Sequence, residues 1–212
     1  MSFPATANGW IAYVRDFIGA DEYSDAQINI FLDLAVNRLN REMMGYKMEW
    51  QISLLVDSIA PQVVDITTLI DNFSKIRLVN ILNTTTGPLD VVSLNEMKKI
   101  QAEDHYPGGL PTHYAIDAGV MYIYPFPALE STIEVFYYRK LNLIQFGQYY
   151  PDALLHAACL EAASYMVEDE RIQVWEAKYL AALSTANSEG DKIKLGSTPL
   201  KREFTVVNRR YK

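Results

Sequence analysis

The sequence holds one cysteine, Cys159, in 212 residues. That excludes a disulfide framework within the chain and any zinc site built on several thiolates. Long apolar runs are missing too. The longest are a few residues, against the roughly 20 that a membrane-spanning helix needs. Residues 1–9 are small and polar and lack the basic-then-apolar pattern of an export signal. Positive charge is scarce: 19 Lys and Arg face 26 Asp and Glu, a net of −7, which argues against DNA as the main ligand of the body. These absences leave a soluble, acidic, intracellular or assembly-bound protein as the expectation.

Catalytic motifs are equally scarce. Gly108-Gly109 has no following Lys-Ser/Thr and no following long helix, so it is not a phosphate loop. No His-Glu-x-x-His or Gly-x-Ser-x-Gly occurs. Glu103-Asp104-His105 groups three metal-ligating residue types, but neighbours in a chain do not easily face one ion, so a solvated loop is the better reading. His156 and Cys159 lie one helical turn apart. A nucleophilic thiol needs an electropositive, partly open setting, whereas Cys159 falls on an apolar stripe. Glu168-Asp169-Glu170 suits the positive end of a helix dipole without any acid–base role. The expectation is no enzyme, no catalytic residue, no cofactor and no metal.

What is present is aromatic, amphipathic and unevenly charged. Aromatics make up 12%, with 14 Tyr, a residue used in interfaces as readily as in cores. Residues 190–212 carry seven basic and two acidic residues, a net of +5, which leaves the other 189 at −12. An acidic body with a basic tail suggests a tail that reaches for something acidic. Extended, it spans at most roughly 75–80 Å. Phe204, Val206, Val207 and Tyr211 are interleaved with Lys201, Arg202, Arg209 and Arg210. That mixture suits strand addition or arm docking on another protein. A solvated terminus or phosphate contact are the alternatives.

Hydrophobic spacing divides the chain. Trp10, Tyr13, Val14, Phe17 and Ile18 recur at helical spacing within a helix of about 6–18, closed by Gly19. Ser24 to Gln27 reads as a capping box, followed by Ile28, Phe31, Leu32, Ala35, Val36 and Leu39, with Gly45 closing that second helix. From there to about residue 147 the pattern is β-branched and turn-rich. Residues 63–70, 76–82 and 132–139 read as strands, 94–103 as a short surface helix, and 112–116 with 120–124 as a hairpin. Helix returns at Pro151, with Leu155, Ala158, Cys159, Ala162, Ala163 and Met166 as its stripe. A last helix, buried through Ile172, Trp175, Tyr179, Ala182 and Leu183, ends at Gly190. The expected fold is α+β: a helical body from 1–45 and 148–189, a small β-sheet region inserted at 46–147, and an extended basic arm at 190–212.

Two stretches carry a family resemblance. Pro151-Asp152-Ala153-Leu154-Leu155-His156-Ala157-Ala158-Cys159-Leu160-Glu161-Ala162-Ala163 is followed by Asp169-Glu170-Arg171, Trp175 and Tyr179-Leu180-Ala181-Ala182-Leu183. It resembles the closing helix pair of head-to-tail adaptor (connector) proteins of tailed bacteriophages. His113-Tyr114-Ala115-Ile116, Tyr122-Ile123-Tyr124-Pro125-Phe126-Pro127 and the strand Ile133 to Tyr138 resemble the β part of the same proteins. The resemblance covers about residues 110–185. It implies a structural virion protein of the neck, assembled in the host cytoplasm. Such adaptors form a homo-oligomeric ring, taken as dodecameric, that joins the portal protein to tail proteins such as nozzle or fibre components. DNA passes through the ring without specific binding, and no membrane is involved. On that reading the arm residues Lys201, Arg202, Phe204, Arg209, Arg210 and Tyr211 dock on the portal or a neighbouring subunit. Tyr114, Tyr122, Tyr124, Phe126, Phe136 and Tyr138 form a tail-facing or lateral interface, with ordinary sheet packing as the competing explanation. A tail-completion or stopper protein of the neck, or an intracellular peptide-binding module, are the alternative functions.

Overall fold

A computed structural model describes residues 3–19, 23–56, 63–82, 87–104, 108–166 and 169–195. The N-terminal helices start where their caps place them. Helix α1 (Ala7–Ile18) is opened by the Thr6 hydroxyl, which accepts from the Gly9 amide at 3.1 Å, and closed by Gly19 at φ 69°. Helix α2 (Asp25–Glu42) opens with the capping box of Ser24 and Gln27. Losing one side of that box costs about 1 kcal/mol. Ser24→Ala is expected to lower the melting temperature by about 2–4 °C, measured by circular dichroism. The helix stops at Glu42, with Met43 extended, so Gly45 is not its terminator. Gly45 serves a packing need instead: a Cβ there would lie 2.3 Å from the Tyr150 hydroxyl.

After one 3-10 turn (Tyr46–Met48) come strand β1 (Glu49–Val56), β2 (Val63–Asp65), the single-turn helix α3 (Ile66–Leu69), β3 (Phe73–Ile81), β4 (Asp90–Val91) and helix α4 (Leu94–Glu103). Strands β5 (Gly108–Gly109), β6 (His113–Asp117), β7 (Val120–Tyr124), β8 (Phe126–Pro127) and β9 (Ser131–Arg139) follow. The stretch expected as one strand over 63–70 breaks at Asp65. Its carboxylate accepts from the Thr67 and Thr68 amides and starts α3. The hairpin β6–β7 is as expected, with Ala118 (φ 48°) and Gly119 (φ 82°) as its two-residue turn.

One sheet is three-stranded and antiparallel, in the order β1-β9-β3. A second has the order β2-β7-β6-β4, with β4 parallel to β6. They share one core. Leu54, Val56, Val79, Ile81, Ile133 and Val135 of the first meet Tyr114, Met121 and Ile123 of the second. The second sheet's other face is covered by α4, where Met97 packs on Ala115 and Tyr124.

The β region ends at Arg139, earlier than residue 147. Helix α5 (Leu143–Tyr149) was not foreseen; it is capped reciprocally by Asn142 and Gln145, and its Phe146 belongs to the helical core. Gly147 in α5 lies against Trp10, since a Cβ there would be 2.3 Å from Nε1 of that indole. Helix α6 (Pro151–Met166) is central. Ala153, Leu154, Ala157 and Leu160 are buried along with the expected stripe from Leu155 to Ala163, so the helix is enclosed on more than one side, while Met166 at its end is half-buried. Its alanines let helices approach closely. Helix α7 (Asp169–Leu195) runs through Gly190, so residues 190–195 are helix and not the start of an extended arm. One glycine costs a helix about 1 kcal/mol and does not by itself end it.

Polar side chains tie the helices to one another and to the segments that enter and leave the sheets. Asn40 pairs with the Leu141 backbone in both directions, at 2.9 and 2.8 Å. The Tyr150 hydroxyl accepts from the Lys47 amide at 2.9 Å, and burial pushes that phenol up to about 12. The Tyr179 hydroxyl donates to Glu42 at 2.7 Å.

Candidate interaction surfaces

Cys159, His156 and Asp104, three of the residues that could have carried chemistry, are used structurally. Cys159 is buried in the helical core, and burial pushes its thiol up to about 12. A thiol raised in this way stays protonated and unreactive at neutral pH. Iodoacetamide at pH 8 is therefore expected to leave Cys159 unmodified in the native protein and to label it fully in urea, read by mass spectrometry. His156 packs beside Trp175, with ring centroids 6.0 Å apart, and burial lowers its pKa. Asp104 accepts a 2.9 Å hydrogen bond from the Tyr124 hydroxyl, which fixes α4 to the sheet. Its neighbour His105, and Glu168, lie outside the described residues. Among the described residues no group of three His, Cys, Asp or Glu is placed to hold a metal ion. None of their helices is long and apolar enough to cross a membrane.

The six sheet aromatics divide by face. Tyr114 is buried between the two sheets, Tyr124 under α4, and Tyr138 in the helical core. These three are packing residues, which corrects their reading as contact area. Tyr122, Phe126 and Phe136 are half-buried and still present surface. The physical reason lies in the layers. Both faces of the second sheet are covered, and the end of β9 passes under the helical body. Tyr137 therefore points into one core while Tyr138 points into the other. The arm residues Lys201, Arg202, Phe204, Arg209, Arg210 and Tyr211 lie outside the described residues.

The structure adds a surface that the stripe of α2 concealed. Ile30, Leu34, Asn37 and Arg41 fall at i, i+4, i+7 and i+11, on the side of α2 opposite its buried line. Ile30 is 55% exposed and Leu34 46%. With Tyr165 of α6, 63% exposed, they border an apolar groove of about 360 Å³. The groove continues, through the shared residues Leu34 and Glu161, into a cleft of about 720 Å³ where α2 meets the ends of β3 and β9. Arg38, Arg41, Lys75 and Lys140 line this cleft. Arg38 is paired with Glu161 at 2.6 Å. Arg41, Lys75 and Lys140 have no ion pair among the described residues. The sequence signal was Ile30 and Leu34, two aliphatic residues off the main stripe.

No curated protein matches the chain. A model of the SU10 adaptor protein family matches residues 5–202, a span that takes in both helical parts, the sheets between them and the first basic pair of the arm. That match agrees with the likeness to bacteriophage head-to-tail adaptors carried by α6, α7 and the hairpin, and it establishes that the chain belongs to the SU10 adaptor protein family.

Proposed function

We propose that this chain is one subunit of a head-to-tail adaptor ring, taken as dodecameric, that sits between portal and tail and prolongs the DNA channel. The family match over 5–202 carries the reading. The physical features support it. A closed ring of identical chains needs two different lateral surfaces on each, and this chain has several exposed apolar areas outside its cores. The acidic body suits a channel wall, because like charge keeps DNA from sticking. The arm, through Lys201, Arg202, Phe204, Arg209, Arg210 and Tyr211, docks on the portal or the next subunit. Tyr122, Phe126 and Phe136 remain the sheet aromatics available to tail proteins or to a neighbour.

Electron microscopy of the purified chain mixed with the portal protein of its own phage tests the proposal. A ring of adaptor density coaxial with the portal is the expected image. Portal particles left bare at saturating adaptor would reject the assignment. Adaptor rings that bind only below a different neck protein would favour a stopper role.

A further inference from the structure

We propose that the strip along α2 is one half of the lateral contact between neighbouring copies, and that the outward face of α7 in the next copy is the other half. The inference rests on the ring reading above and gives that ring its interface.

The two faces are complementary in chemistry and length. The α2 strip runs from apolar to basic: Ile30 and Leu34, joined by Tyr165, then Arg41 with Lys75 and Lys140 beside it. The face of α7 opposite its buried Tyr179 carries Glu170, Val174, Ala177 and Ala181 in one row, with Leu180 on its flank; at Glu170 and Val174 the row borders a groove shared with Phe17 and Ile18 of α1. All five α7 residues are exposed, Val174 and Leu180 about half so. Glu170 forms no ion pair among the described residues. Ile30 to Arg41 and Glu170 to Ala181 are each eleven residues apart, roughly 16 Å along a helix. Set antiparallel, the rows place Glu170 at Arg41, Val174 at Asn37, Ala177 at Leu34 and Ala181 at Ile30. The alanines allow the axes to come close. Both helices pack on α6, and α7 touches α2 through Tyr179 and Glu42 on its buried side. The two outer faces are therefore separate surfaces of one chain, as a head-to-tail contact demands. Charge supplies the occupant. The body outside the basic arm has a net of −12, so a cleft whose Arg41, Lys75 and Lys140 form no ion pair among the described residues finds its opposite sign on another copy of the same chain.

Paired cysteines test it, because buried Cys159 does not compete under native conditions. One preparation carries Leu34→Cys and another Ala177→Cys. They are mixed, assembled with the portal protein and oxidised. The expected product is a disulfide between the two different chains, with none from either alone. A Leu34→Cys chain that cross-links to itself or to the portal overturns the inference, as do complete rings with no cross-link. A wild-type chain that makes no ring fails the ring reading itself, which separates the two outcomes. As a second arm, Arg41→Glu should lower ring yield about tenfold and Arg41→Glu with Glu170→Arg should restore it. Equal yield in all three would also overturn it.

Discussion

Removal of residues 196–212 is expected to leave the folded body intact and to weaken capture by the portal at least about 100-fold, or roughly 2.7 kcal/mol. The first half of that expectation follows from where burial occurs. The helical and sheet cores are built from residues between Trp10 and Ala186. Truncation tolerance follows burial and not chain position, so the melting temperature should move by no more than about 2 °C. The second half follows from what is removed. The segment takes away Lys201, Arg202, Arg209, Arg210 and Lys212 with Phe204 and Tyr211, a mixture of cationic and aromatic groups that carries binding energy well. Surface plasmon resonance on immobilised portal, at two salt concentrations, reads the effect. If charge dominates, the full chain's affinity falls steeply with salt and the truncated chain's does not. Unchanged affinity after truncation would mean that the arm is only a solvated terminus.

The largest effect on stability is expected at Trp10. Its side chain is 0% exposed, stacks against Phe3 at 6.1 Å and meets Tyr13 edge-on at 5.8 Å. It also presses its indole nitrogen onto Gly147 of α5. Trp10→Ala empties that space and should cost about 3–5 kcal/mol, a large share of the 5–15 kcal/mol typical of a domain. Trp10→Phe should cost clearly less. The buried indole N–H has no hydrogen-bond partner among the described residues, so phenylalanine removes that donor along with some volume. Gly147→Val should damage the same contact from the other side, because the new side chain would start 2.3 Å from the indole nitrogen. Urea unfolding of the three variants checks the order. A Trp10→Ala protein as stable as the parent would show that α1 is not held through this residue.

The legible parts of the fold were those whose signal is local. Thr6, Ser24 and Ser93 each cap the helix that follows them. Ala118-Gly119 turns the hairpin, and Ile172, Trp175, Tyr179, Ala182 and Leu183 face the core as their spacing requires. Helix α5 was missed although Asn142 and Gln145 spell its capping box, because seven residues give too few turns for a hydrophobic period to stand out. The continuation of α7 through Gly190 is not legible because a lone glycine reads as a helix end, while its cost in a helix is only about 1 kcal/mol.

The one-dimensional pattern thus determined that this chain has amphipathic helices around a β region, an acidic body with a basic end, and the residues of a phage adaptor. It could not say which covered layer each alternating aromatic enters, nor that Ile30 and Leu34 border a groove leading into the Arg41, Lys75 and Lys140 cleft. Periodicity fixes the direction of a side chain relative to its own element. What stands opposite comes from segments more than a hundred residues away, such as Glu161 against Arg38, 123 positions apart, and only tertiary packing brings those together.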